Sequence, residues 1–236
     1  MLSKVQEIIA KKNHTAEEII FLTNYEPNDD RNRLYSFYTP IWLCEKMYEL
    51  AIHYGFDPKK GKILEPSCGN GNFLTVFDNP KNVTAFETDS INYQIAKIRS
   101  PKSNIYNDYF EKAFLMPPRH TSVIKSGLTW LKDYPFDLVI GNPPYGSRTN
   151  IYSSFFKNMK IKQIEAFFMY QSLRLLKPGG LLIFITSSSF LRDQNNTYKN
   201  EKKLMSEYAE LVDAYRMPKV FKNTSVPTDI IVIKRK

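Results

Sequence analysis

Seven short runs rich in β-branched and aromatic residues alternate with helix-length segments, and this alternation limits the fold more than any other feature of the sequence. The runs are Lys62 to Glu65, Asn82 to Glu87, Ser103 to Tyr106, Asp137 to Ile140, Leu181 to Thr186, Leu211 to Tyr215 and Asp229 to Ile233. Strands separated by helical segments are joined by crossovers rather than hairpins, so they lie parallel with helices over both faces. The expected fold is α/β, a doubly wound, Rossmann-like sheet. At 236 residues with 42% apolar content, the chain is long enough for one continuous core.

The intervening segments carry helix signals. Thr15 and Glu18 form a capping box ahead of Ile19 and Ile20. Thr39-Pro40 predicts a helix with Pro at its first position, running through Trp42, Met47 and Leu50. A further helix is expected over GNFLTVFD, and Ser90 is expected to cap another that reaches Ile98. The least regular stretch, Glu111 to Pro135, holds Pro117 and Pro118 and reads as an insertion at the rim. RDQNNTYKN, from Arg192 to Asn200, reads as a polar loop.

Composition narrows the setting. Lysine and arginine total 33 against 24 acidic residues, and the net charge of +9 favours a polyanionic partner. Cys44 and Cys68 are too few for a zinc cluster, so no metal is expected, and a reducing, cytoplasmic location follows. The N-terminus interrupts its apolar positions with charges, as an amphipathic helix does and a signal peptide does not. No run approaches the roughly 18 apolar residues of a membrane span.

Three motifs carry chemistry. The first is EPSCGNGNF, Glu65 to Phe73, directly after a strand. Gly69 and Gly71 let the backbone turn sharply and approach a ligand without Cβ interference, although turns between strand and helix also hold glycine for steric reasons alone. The second is AFETD, Ala85 to Asp89, where Glu87 stands at a strand end suited to accept both hydroxyls of a ribose. As a bare strand-end carboxylate, Glu87 reads equally as solvated or as a helix cap.

The third and sharpest is FDLVIGNPPYGS, in which an apolar strand ends on Asn142, Pro143, Pro144 and Tyr145. Two prolines fix the backbone and remove two N–H donors, so the loop displays acceptors, chiefly the Asn142 side-chain oxygen and the Pro143 carbonyl. A planar amino group held by both N–H bonds in such acceptors has its lone pair turned out of conjugation towards an electrophile, here a sulfonium methyl. Tyr145 adds an aromatic face for a stacked base, a contact worth roughly 1–3 kcal/mol.

Together these motifs resemble the adenine-N6 DNA methyltransferases of restriction-modification systems, in particular the TaqI-like, gamma-class subgroup whose cofactor motif precedes NPPY. The similarity runs from about Phe37 to the C-terminus. It implies a seven-stranded S-adenosylmethionine-dependent methyltransferase fold with the last strand antiparallel, and S-adenosylhomocysteine as product. Glu65, Ser67, Gly69, Gly71, Glu87, Thr88 and Asn142 then line the cofactor site. By the same resemblance Tyr38, Thr39 and Pro40 touch the methionine part, and Asp108 holds the adenine amino group with Tyr109 packed nearby. Phe221, in KVFKNTSVPTD, closes over an extruded target adenine. Asn142, Pro143, Pro144, Tyr145 and Phe221 form the catalytic set.

The expected organisation is an N-terminal helical extension over residues 1–31 and a catalytic domain over 32–236, with 111–135 as the rim insertion and no separate target-recognition domain. Members that read a sequence carry such a domain or use a partner, so a specificity subunit or partner chain belongs to the expected set of partners beside DNA. The same NPPY acceptors suit a protein glutamine or an RNA base. A catalytically silent DNA-binding subunit is the remaining alternative.

Overall fold

In the computed structural model, residues 2–25, 37–111, 134–146, 161–192, 197–221 and 224–236 are described. All seven expected strands form: β1 (Ile63–Glu65), β2 (Val83–Glu87), β3 (Asn104–Asn107), β4 (Phe136–Gly141), β5 (Leu176–Ser187), β6 (Ala209–Arg216) and β7 (Thr228–Arg235). They make one sheet in the order β3-β2-β1-β4-β5-β7-β6. Strands β1 to β5 pair in parallel. The last strand, β7, runs antiparallel to β5 and to β6, as expected. The chain order reverses between β1 and β4, which places a crevice at their carboxyl ends.

Side chains alternate across the sheet, so one strand feeds two cores. On β5, Leu182 and Phe184 face one cluster while Leu181, Ile183 and Ile185 face the other. Helix α3 (Ile41–His53) brings Leu43, Cys44, Met47 and Ala51 to the second cluster, joined by Ala96 of α4 (Ser90–Arg99). The first cluster is covered by α5 (Ile164–Leu175), through Ala166, Phe167 and Met169, and by Met205 of α6 (Lys199–Tyr208). Both faces of the sheet are thus buried beneath helices, which is why β4 and β5 are near-continuous apolar runs.

The N-terminal residues form α1 (Leu2–Ile9) and α2 (Ala16–Thr23). The capping box at Thr15 is complete: Glu18 N–H donates to Thr15 Oγ1 at 3.2 Å and Thr15 N–H to Glu18 Oε2 at 2.9 Å. Val5, Ile8 and Leu22 pack with Ile95, flanked by Ile91 and Ile98, so this helical pair lies against α4.

Three helix expectations need correction. GNFLTVFD forms only a single 3-10 turn, Phe73–Thr75. Pro80 follows closely and biases the residue before it away from the helical region, which leaves too few residues to repay helix nucleation. Asp89, not Ser90, caps α4, its Oδ1 accepting from Ile91 N–H at 3.1 Å and Asn92 N–H at 2.8 Å. Pro40 occupies the cap position ahead of α3 rather than its first turn, and its carbonyl accepts from Leu43 N–H at 2.9 Å. The division expected near residue 31, most of the rim insertion and part of the Arg192 to Asn200 loop lie outside the described residues.

Candidate active site

Glu65 closes β1 and is fully buried. Its Oε1 accepts from Ser67 N–H at 3.2 Å, while its Oε2 has no partner. Burial, reinforced by the charge of Glu87, pushes the Glu65 carboxyl well above the usual carboxylate range. A Cβ placed on Gly141, the residue before Asn142, would lie 2.4 Å from Glu65 Oε1, so the buried Glu65 carboxyl packs directly against the end of β4. Across the same junction Ser67 Oγ donates to the Asn142 carbonyl at 3.4 Å. The glycine loop after β1 and the proline loop after β4 are therefore neighbours at one end of the sheet.

The glycine loop turns as its sequence anticipates, with Gly69 at φ +54° and Gly71 at φ +85°. No α-helix follows it, so the loop is not followed by the row of free helix N–H groups expected from the sequence. Gly69 N–H instead donates to Glu87 Oε2 at 2.8 Å, and Asp89 N–H donates to Glu87 Oε1 at 2.7 Å. Glu87 is thus a bridge from β2 to the glycine loop rather than a solvated strand end. Burial lifts its carboxyl to about 7, against the opposing pull of these two N–H groups. Asn107, at the end of β3, donates to the Glu87 carbonyl at 2.9 Å and to the Thr88 carbonyl at 3.3 Å. Asp108 follows directly, its Oδ1 accepting from Tyr109 N–H at 2.8 Å. Glu65, Glu87 and Asp108 accordingly stand at the carboxyl ends of three adjacent strands.

Residues Phe37 to Pro40 form a strap across these loops, and three asparagines hold its first three members. Asn142 Nδ2 donates to the Phe37 carbonyl at 2.9 Å, Asn92 Nδ2 to the Tyr38 hydroxyl at 2.9 Å, and Asn72 Nδ2 to the Thr39 carbonyl at 2.8 Å. The Tyr38 ring lies 3.2 Å from where a Gly69 side chain would begin. Thr39 is buried, and Pro40 leads into α3.

In the proline loop, Pro143 is buried while Asn142, Pro144 and Tyr145 are half-buried, so the tetrapeptide is not sealed inside the protein. The Tyr145 hydroxyl donates to Asn142 Oδ1 at 2.7 Å. Burial raises the Tyr145 phenol well above its ordinary value and keeps it a donor. The Phe37 ring touches both expected base-stacking rings, at 5.9 Å from Tyr145 and 5.8 Å from Phe221 between centroids. No ring contact joins Tyr145 to Phe221 directly among the described residues, so Phe37 links them. Phe221 itself is 7% exposed and counts among the core residues beneath α3.

The expected site residues are thus brought to one end of the sheet. Reasoning from sequence missed Phe37, whose only signal was its place immediately before Tyr38-Thr39-Pro40. It also missed Asn72 and Asn92 as braces, since side-chain amides that bond across loops leave no periodic trace.

Residues 76–221 match the model of the Eco57I restriction-modification methylase family. The chain is 28% identical over 206 residues to "Defense against restriction protein B" of Escherichia phage P1, covering 84% of this chain and 8% of that protein. It is 28% identical over 188 residues to the type II methyltransferase M.TthHB8I of Thermus thermophilus, covering 73% and 39% respectively. The chain therefore spans well under half the length of either relative. The methyltransferase subunit of a type I restriction-modification system from Streptococcus thermophilus shares the fold, with a TM-score of 0.64, 19% identity, and coverage of 86% of this chain and 45% of that one. With this seven-stranded fold and a family match that begins just after the Phe73–Thr75 turn and runs from Val76 to Phe221, the chain belongs to the Eco57I restriction-modification methylase family.

Proposed function

We propose that the chain transfers a methyl group from S-adenosylmethionine to the N6 amine of adenine in DNA, as an NPPY methyltransferase of the gamma class. The observation that carries this reading is the contact between the two loops. The acceptor loop begins where Gly141 meets Glu65 and the Asn142 carbonyl meets Ser67, so the two loops open side by side.

The residues present fit the cofactor. Gly69 and Gly71 leave an uncluttered backbone, Glu65 carries a buried oxygen with no partner, and Glu87 and Asp108 add acidic groups that suit a cationic sulfonium. When bound, S-adenosylmethionine supplies the electrophilic methyl group. In this reading Glu87 takes the ribose hydroxyls with the lone pairs its backbone donors leave free, Thr88 lies beside it, and Asp108 with Tyr109 receives the adenine ring. Tyr38, Thr39 and Pro40 enclose the methionine end.

Asn142 Oδ1 and the Pro143 carbonyl accept the two N–H bonds of the target amine. The amine so held would take the methyl group, S-adenosylhomocysteine would leave with the carbon–sulfur electron pair, and the surplus proton on nitrogen would pass to solvent. Positioning and exclusion of water carry most of the acceleration. Asn142 Oδ1 has a second lone pair, so the Tyr145 hydroxyl and the substrate amine can both donate to it. Adenine within a duplex is out of reach and is extruded into the slot lined by Tyr145 and Phe221. The names of the M.TthHB8I relative and of the matched family support methyl transfer in a restriction-modification setting. In this reading residues 32–236 form the catalytic unit, and target recognition falls to the 111–135 segment, to a specificity subunit or to a further part of a longer protein.

The test is mass spectrometry of the hydrolysed substrates after incubating the chain with labelled S-adenosylmethionine and, in separate reactions, unmethylated DNA, RNA or a glutamine-bearing protein. N6-methyldeoxyadenosine is the expected product. Label found only in RNA or in protein glutamine would replace this reading with one of those substrates.

A further inference from the structure

We infer that Arg99 is a positioning residue for the cofactor site, setting the shape of the glycine loop and fastening the Phe37–Pro40 strap to it. This inference rests on the function proposed above. Arg99 ends α4, where a cation also suits the helix dipole, and that role alone would need no partner. Its partners are nevertheless specific. The Nη1 group donates to the Asn70 carbonyl at 2.8 Å, to Asn70 Oδ1 at 3.3 Å and to Asn72 Oδ1 at 2.6 Å. No carboxylate pairs with it among the described residues, so its hydrogen bonds are committed to the loop.

The consequence is directional. With both amide oxygens turned to one guanidinium, both amide nitrogens point the other way. Asn72 Nδ2 donates to the Thr39 carbonyl at 2.8 Å, in the strap. Asn70 Nδ2 donates to the Thr23 carbonyl at 3.0 Å, the last residue of α2, where a helix end leaves carbonyls without partners. One side chain thereby registers the glycine loop against the strap on one side and the N-terminal helices on the other. Asn70 is 1% exposed, so a flipped amide there would leave polar atoms buried without partners. Gly71, between the two asparagines, sits against Ala96 of the same helix, which leaves the loop little freedom once Arg99 is in place.

Isothermal titration of the purified chain with S-adenosylhomocysteine tests this, together with melting temperatures. Arg99→Gln is expected to weaken binding roughly tenfold or more, the scale of loss when groups that orient direct ligand contacts are removed. Arg99→Lys should recover only part, because an ammonium lacks the planar fork. Asn72→Asp keeps an acceptor for Arg99 but loses the donor to Thr39, and is expected to weaken binding similarly. A lowered melting temperature with wild-type affinity in Arg99→Gln would reduce Arg99 to a structural role and overturn the inference. Should Arg99→Gln fail to fold, unchanged affinity in Asn72→Asp overturns it instead. Wild-type protein that is folded yet does not bind S-adenosylhomocysteine would overturn the proposed function and this inference with it. Binding by wild type with both variants unaffected would overturn this inference alone.

Discussion

The Tyr145 hydroxyl donates to Asn142 Oδ1 at 2.7 Å, while the amide nitrogen of the same Asn142 is held by the Phe37 carbonyl at 2.9 Å. The amide is therefore oriented before any substrate arrives, with its oxygen on the side of the aromatic slot. Asn142→Ala is expected to lower methyl transfer by about a hundredfold or more, the cost of losing a preorganised group at the reacting centre. Cofactor affinity should fall far less, by no more than the loss of the Asn142 tie to the Phe37 carbonyl of the strap, as read by steady-state kinetics beside calorimetry. Equal loss of both would mean that the acceptor loop belongs to the cofactor site instead.

Phe37 bridges the two rings that the proposed base would contact, and an extruded adenine is expected to displace its side chain. Phe221→Ala should weaken capture of the base by about 1–3 kcal/mol, the scale of one aromatic stack. Phe37→Ala should leave capture equal or stronger. The measurement is the fluorescence of 2-aminopurine at the target position in bound DNA. A loss in Phe37→Ala matching that of Phe221→Ala would make Phe37 a wall of the slot rather than its occupant.

Glu87 gives the site a pH dependence whose sign follows from its raised value. Its carboxyl moves from 4.5 to about 7, so the folded chain holds this proton more tightly than the unfolded one. The contribution to stability is present below the unfolded value and declines as pH rises towards 7. In the role proposed for Glu87, accepting the ribose hydroxyls calls for the ionised form, so cofactor affinity should climb as pH approaches about 7 and level off above it. Titrations at a series of pH values, in buffers of different ionisation enthalpy, would show the linked proton release. Glu87→Gln should bind weakly and without this slope.

Gly71 combines φ +85° with a Cβ position only 3.1 Å from the Ala96 backbone. Gly71→Ala is expected to cost about 1–3 kcal/mol through backbone strain, seen as a lower midpoint in denaturant. An unchanged midpoint would mean that the loop relaxes freely.

The sheet was legible because its signal is local. Val83 to Glu87 and Leu181 to Thr186 are apolar, β-branched runs with glycine or polar breaks nearby, and both appear within a few residues of their expected bounds. Glu87 and the Asn142 loop were legible for a related reason, since each stands at a strand end where topology dictates the surroundings. The brief turn at Phe73–Thr75 was misread because Phe73, Leu74 and Phe77 share helical spacing, while their burial comes from the core beneath α3. Asp89 and Ser90 are both competent caps, and only the backbone geometry chooses between them. Arg99 lies 27 residues from Asn72 in sequence, and only the packing of α4 against the loop brings them together.

The central claim is that Asn142 and Pro143 hold a flat amine in front of the methyl donor. The most direct measurement is a crystal structure of the chain soaked with S-adenosylmethionine. The account predicts the sulfonium methyl facing Asn142 Oδ1 and the Pro143 carbonyl across a gap the width of one amino nitrogen, reacting atoms in such complexes lying about 3–3.5 Å apart. A cofactor bound with its methyl directed away from these two oxygens, or lodged at a different end of the sheet, would contradict it.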